Sequence, residues 1–334
     1  MGVTLHLKMS WESHINRIHK KATKRLSLLK RASFKLPFNR RDIETLYISM
    51  VRSVLEYAGI VISNCTNAQS EKLESVQHQA ALLCSRAYKR THYDNILIEL
   101  GWDTLQNRRC FQALLLFYRM DRNITPAYLS SILTPMKTRT HRYPTGTHQR
   151  NHFLPPFSRL SMTFNSFIPS TARAWNTLDP KLKNQNSFFS FKLNLKKSMM
   201  RSKRKLYSLF ASKAAINHAR LRMGLSALNA QRSNYNLIDF RSCQCGSPSE
   251  DLTHYFFSCP LYAAQRQNLL GDLEDIIVNF STIIAVQDET FTHNQLTKKV
   301  LDLYLYGNSQ LDWENNVNLF SHIQTYIRNT QRFV

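Results

Sequence analysis

The sequence predicts a mainly α-helical protein: a helical bundle, an irregular basic connector, a small Cys/His-rich segment and a helical C-terminal tail. Three observations carry that prediction. Of the 334 residues, 43% are hydrophobic and 11% aromatic, enough to bury a core and to exclude a wholly disordered basic tail. Apolar residues recur at steps of three and four, the period of one helix face. Six of the ten prolines fall within 131–190 (Pro135, Pro144, Pro155, Pro156, Pro169, Pro180), which marks an irregular stretch between helical ones.

The elements follow in order. Residues 11–31 read as an amphipathic helix with Ser10 as N-cap: Trp11, Ile15, Ile18, Ala22, Leu26 and Leu29 share a face. The opposite face carries Arg17, Lys20, Lys21, Lys24, Arg25 and Lys30. After Pro37 a second helix is expected over 41–57 and a third over 70–87; a fourth starts near Leu105 and carries the apolar run Ala113–Tyr118. These make residues 1–130 one helical module. Residues 131–190 read as a basic connector with room for short strands, tightening around Phe164–Leu178. The segment 191–262 brings a basic helix over 188–210, another over 212–229, and the cysteine cluster. Residues 263–334 form an acidic tail whose last helix is marked by Trp313, Val317, Phe320, Ile323 and Ile327.

Charge separates function classes. There are 45 Lys+Arg against 22 Asp+Glu, a net charge of +23. Ser13–Arg41 holds ten bases and no acid, and Arg122–Ile238 twenty bases and one acid, Asp179. After Glu250 the sign reverses, with five bases against nine acids. Long acid-free stretches in a foldable chain make a field that attracts polyanions, with nucleic acid the expected partner. The rival readings are a membrane surface and a solvated basic face with no partner. No apolar run reaches the ~18 residues of a membrane span. MGVTLHLK is not a signal peptide, and His6 stands where a myristoylation motif wants Ser or Thr. The expected setting is intracellular, nuclear and cytoplasmic.

Residues 243–259 read CQCGSPSEDLTHYFFSC. Cys243, Cys245, His254 and Cys259 offer three thiolates and an imidazole, a normal closed set for structural Zn2+. Gly246 allows a tight turn under the first pair. The competing reading is reduced core cysteines, as expected for Cys84, Cys110 and the loop residue Cys65. The chain has no Asp-Asp pair, Walker loop, G-x-S-x-G or H-E-x-x-H. The residues thus describe a basic, helical, metal-binding protein without an evident catalytic site or small-molecule substrate.

Several short runs taken together are similar to a known family. These are Gly2-Val3-Thr4-Leu5 with Ser10-Trp11 and His14-Ile15; Leu46-Tyr47 with Leu55-Glu56-Tyr57; Leu100-Gly101-Trp102 with Arg108-Arg109; Asn165-Ser166-Phe167 with Trp175-Asn176-Thr177-Leu178; Arg220-Leu221-Arg222 with Gly224; the cysteine cluster with Cys259-Pro260; and Leu305-Tyr306-Gly307. In this order they resemble the C-terminal region of reverse transcriptases of jockey-like non-LTR retrotransposons, the thumb and CCHC zinc knuckle. The resemblance implies a thumb in residues 1–130 that grips template–primer by its backbone, and a knuckle that helps bind element RNA or target DNA. The phosphate contacts it implies are Lys20, Lys21, Lys24, Arg25, Lys30 and Arg31, with a second patch of Lys196, Lys197, Arg201, Lys203, Arg204 and Lys205. Family members carry an upstream palm with an aromatic-x-Asp-Asp motif, whose Mg2+ does the chemistry. That palm is absent here, so the chain is expected to be a fragment of a decayed element, inactive as a polymerase alone and dependent on an upstream or separately encoded palm. The alternative is a domesticated zinc-dependent adaptor that binds protein or nucleic acid with no link to polymerisation. The aromatics among the bases (Phe34, Phe38, Phe189, Phe191, Tyr207) are read as core residues, with single-strand stacking as the second possibility.

Overall fold

The structure, a computed structural model, describes residues 2–4, 10–36, 38–133, 152–155, 157, 159–202, 207, 212–278 and 292–333. The fold is mainly α, with no β-strand among the described residues. The principal helices are α1 (Glu12–Lys35), α2 (Arg40–Leu46), α3 (Asn67–Ser85), α4 (Tyr93–Leu100), α5 (Leu105–Asp121), α6 (Phe167–Asn176), α7 (Phe188–Met199), α8 (Lys213–Arg222), α9 (Asn229–Asn234), α10 (Ala263–Asp272), α11 (His293–Tyr306) and α12 (Trp313–Asn329). α2 runs on through a π-helical stretch, Tyr47–Arg52, into Ser53–Leu55. No described helix is long and apolar enough to cross a membrane.

The chain forms two compact units. The first comprises Met1–Pro37, Asp42–Ala80 and Gly101–Ser202; the second comprises Phe38–Arg41, Ala81–Leu100 and Lys203–Val334.

In the first unit α1 buries Ile15, Ile18, Ala22, Leu26 and Leu29 against the turns that hold Tyr47, Val51, Val54 and Leu55. It continues a full turn past the expected end, to Lys35. Ser10 accepts from Glu12 N at 3.2 Å, but the helix begins with Trp11 at the cap position and no side-chain cap. A second core gathers α5, α6 and α7 around Trp175. Phe117 lies 5.3 Å from it, Phe191 5.7 Å, and Phe117 meets Phe153 edge-on at 4.9 Å. Residues 134–151, the first third of the expected connector, lie outside the described set, and its later part is short helices with α6.

Two expected helices end early, each for a visible reason. The helix expected over 188–210 stops at Met199, with Met200 extended. There Asp103 accepts from Arg201 N at 3.2 Å and Asn107 Nδ2 donates to Met199 O at 2.9 Å. These bonds take backbone groups that a continuing helix would need. The helix expected over 212–229 breaks after Arg222, because Gly224 turns left-handed at φ +79° and Asn95 Nδ2 donates to Met223 O at 3.0 Å.

The second unit packs α8 against α4, α11 and α12. Its core holds Tyr255, Phe256, Tyr304, Phe320 and Tyr326. Two buried carboxylates organise its polar interior. Glu99 receives Arg222 through Nε at 2.9 Å and Nη2 at 2.8 Å, and Arg40 at 3.1 Å. Glu250 receives Arg332 through Nε at 2.5 Å and Nη2 at 2.6 Å, and the amide of Asn229 at 2.9 Å.

Candidate metal centre and basic surface

Cys243 and Cys245 sit on a turn closed by Gly246 N donating to Cys243 O at 3.0 Å. Gly246 has φ +90°, the left-handed region that a Cβ opposes, so the residue type follows from the turn. The other arm starts with Asp251, whose carboxylate accepts from His254 N at 2.8 Å and caps the next turn. That turn, His254–Ser258, is π-helical, and Cys259 N donates to His254 O at 2.8 Å. Residues five apart on an α-helix point about 140° from one another. The wider i→i+5 winding brings His254 and Cys259 toward one side.

The four ligand atoms all lie within 4.8 Å of one another. Cys243 Sγ is 3.7 Å from Cys259 Sγ, and Cys245 Sγ is 3.3 Å from His254 Nε2. A tetrahedron with Zn–S bonds of about 2.3 Å has S···S edges of about 3.8 Å. A disulfide needs about 2.05 Å, and all three cysteines are free. The group can therefore hold a metal ion such as zinc. Burial pushes the Cys243 thiol up and that of Cys259 up to about 12, whereas the backbone amide of Ser247 lowers that of Cys245. A bound dication reverses the cost of ionising all three.

The centre is tied to its surroundings. Arg266 donates to Phe256 O at 3.0 Å and also to Cys259 O. Tyr326 of α12 donates to Tyr255 O at 2.7 Å, and Tyr255 and Thr330 share a hydroxyl bond of 2.9 Å. The tail thus packs on the metal-binding segment, a contact with no signature in the sequence.

The basic surface is on α1. At 100° per residue, Arg17, Lys20, Lys21, Lys24, Arg31 and Lys35 fall within an arc about 100° wide, opposite the buried face. The stripe runs about 27 Å along the helix. Five of the six are exposed and Lys21 is half-buried; none pairs with a carboxylate among the described residues. Lys35 is a member that the sequence reading missed. Arg25 and Lys30 lie off the arc and are engaged, donating to Met50 O at 2.7 Å and to Gln79 Oε1 at 2.9 Å.

In the second patch Lys196 and Lys197 are exposed on α7 beside Lys192. Arg201 is half-buried and donates to Trp102 O at 3.3 Å. Lys203, Arg204 and Lys205 lie outside the described residues. The interleaved aromatics divide: Phe191 and Tyr207 are core and Phe38 is half-buried, but Phe34 is 80% and Phe189 72% exposed. No family model matches this chain, and no curated protein and no solved structure matches it.

Proposed function

We propose that this protein is a nucleic-acid-binding C-terminal fragment of a retrotransposon RNA-directed DNA polymerase, with Zn2+ as a structural ion and RNA or DNA as partner. The observation that carries the reading is the α1 stripe. Six cations on one face, unneutralised by acid, give a rod of charge that matches a phosphate backbone rather than a sequence-specific base edge. Two further features support it. Phe34 stands exposed near Arg31 and Lys35, and Phe189 shares the open face of α7 with Lys192 and Lys196, so bases can stack where phosphates are held. The Cys3His group would fix its segment without an open coordination position, which suits folding rather than hydrolysis. In this reading the catalytic Mg2+ belongs to the family's palm, whose Asp-Asp pair does not occur in these 334 residues.

The test is fluorescence anisotropy with a labelled RNA and a labelled DNA duplex across 50–200 mM salt. Neutralising about six phosphates gives a slope of log K against log salt near −5 for a duplex, a loss of about a thousandfold over that range. A flat salt response would overturn the reading.

A further inference from the structure

The first unit holds a second polar site that neither the stripe nor the metal centre uses. A cavity of about 280 Å³ lies among α3, α5 and α6. That is several times the ~30 Å³ share of one water and near the lower bound, about 300 Å³, of ligand pockets. Arg109 lines it and is only 9% exposed. Its Nη2 donates to Ser70 Oγ at 2.6 Å, while its Nη1 is buried with no hydrogen-bond partner. Ser63, in the same lining, also has a buried Oγ without a partner.

The neighbouring arginine makes the contrast. Arg108 has a carboxylate, Glu56, which its Nη2 meets at 3.2 Å. Among the described residues Arg109 has none, and no carboxylate lines the cavity. A guanidinium stays charged at any ordinary pH, so Arg109 is a buried cation whose counter-charge the cavity does not supply. Such a charge is costly to bury unpaired. Its position is held: Arg109 Cγ is so near Gly59 that a Cβ there would lie 3.2 Å away. Three exposed side-chain amides, Asn67, Gln106 and Asn165, also line it and carry N–H donors. The remaining ionisable groups, Cys65 and Cys110, are thiols pushed up by burial, so they add no negative charge.

We infer that this cavity binds a phosphate-class oxyanion, either inorganic phosphate or the phosphoryl group of a small phosphomonoester. Arg109 supplies the counter-charge, and Ser70 and the amides of Asn67, Gln106 and Asn165 supply hydrogen bonds. The inference is independent of the nucleic-acid reading, since it uses no residue of the α1 stripe.

Cys65 and Cys110 give a local readout. Full-length protein is alkylated with iodoacetamide at constant ionic strength, and modification of both cysteines is followed by mass spectrometry during titration with phosphate, a nucleoside 5′-monophosphate or chloride. Phosphate or the monophosphate is expected to slow both reactions saturably, by about fivefold or more below ~10 mM, and chloride to leave them unchanged. Whichever saturates first identifies the natural source. Arg109→Met should abolish the protection. The double variant Gln106→Ala/Asn165→Ala changes only exposed side chains and should weaken it severalfold even if Arg109→Met does not fold. A Lys20→Glu/Lys24→Glu/Arg31→Glu variant should keep it in full. Absence of protection by both phosphates overturns the inference, as does protection unchanged in the double variant or lost in the α1 variant.

Discussion

The core arginines of the second unit and the α1 cations of the first are used in opposite ways. In the second, cations are used to hold the chain together. Arg222 is forked onto Glu99, with its guanidinium 4.1 Å from the ring of Tyr207 and 5.6 Å from that of Phe320. Arg332 is forked onto Glu250, and Arg220 donates to Arg86 O at 2.9 Å. In the first unit, the α1 cations face solvent with no carboxylate among the described residues. Net charge counts both kinds alike, yet only the solvent-facing kind makes an external field. Arg220, Arg222 and Arg232 were part of the acid-starved stretch that suggested a polyanion partner. The carboxylate that takes Arg222 comes from 123 residues away, so the stretch looked more available than it is.

This contrast can be broken in four ways. The largest effect should come from the metal. Structural zinc supplies on the order of 10 kcal/mol of local folding energy. Cys259→Ser or a strong chelator should therefore melt the second unit's near-UV circular dichroism signal, with about one zinc released per chain. Because its ligands must lose protons, metal retention should fall with falling pH.

Next is Glu99→Gln, which leaves Arg222 and Arg40 without their carboxylate in a buried site; side-chain exposure is 5% for Arg222 and 3% for Glu99. Removing one partner of a buried pair costs about 3–5 kcal/mol, readable as a drop in the urea midpoint. A Glu99→Met/Arg222→Met double variant should recover part of it.

His218 gives a smaller, pH-dependent effect. It is fully buried; Nε2 donates to Tyr304 O at 2.9 Å and Nδ1 has no partner. Burial and then nearby Arg222 hold its pKa well below 6.5. The unfolded chain therefore takes up a proton near pH 6.5 that the folded chain refuses, so stability falls as pH drops below that point. The slope approaches about 1.4 kcal/mol per pH unit until the folded pKa is reached. His218→Gln should flatten the wild-type stability profile between pH 6.5 and 5; an unchanged slope would assign the proton elsewhere.

The smallest effect on stability should come from α1. Lys20→Glu/Lys24→Glu/Arg31→Glu should leave the urea midpoint in place, since these exposed side chains pair with no carboxylate among the described residues. The same variant should flatten the salt slope of nucleic-acid binding by about 2–3. A loss of stability instead would make α1 another braced helix and erase the contrast.

How much was legible varies by residue. The buried face of α1 could be read because helical period and burial coincide there, and Ile15, Ile18, Ala22, Leu26 and Leu29 are all core. Gly224 carried a stop signal that the expected 212–229 helix overlooked. Asp103 carried none: it ends α7 from 98 residues away. The four side chains of the Cys/His group were legible from residue type and spacing as a set that could hold a metal ion, and they converge. Arg109 was one base among many until its burial without a carboxylate became visible. Phe34 and Phe189 were read with the core aromatics because an aromatic at helical spacing is usually buried, and both are exposed.

By itself the sequence determined the helical character, the uneven charge and the identity of the Cys/His group that could hold a metal ion. Each rests on local chemistry: a period, a composition or a spacing. The tertiary structure alone decided which cations stay free of carboxylates, where helices stop and which buried guanidinium is left without a carboxylate. Those depend on partners brought together across 39 to 123 residues, as Arg109 with Ser70 and Arg222 with Glu99 show. A charge interacts with what lies near it in space, and only folding sets that distance.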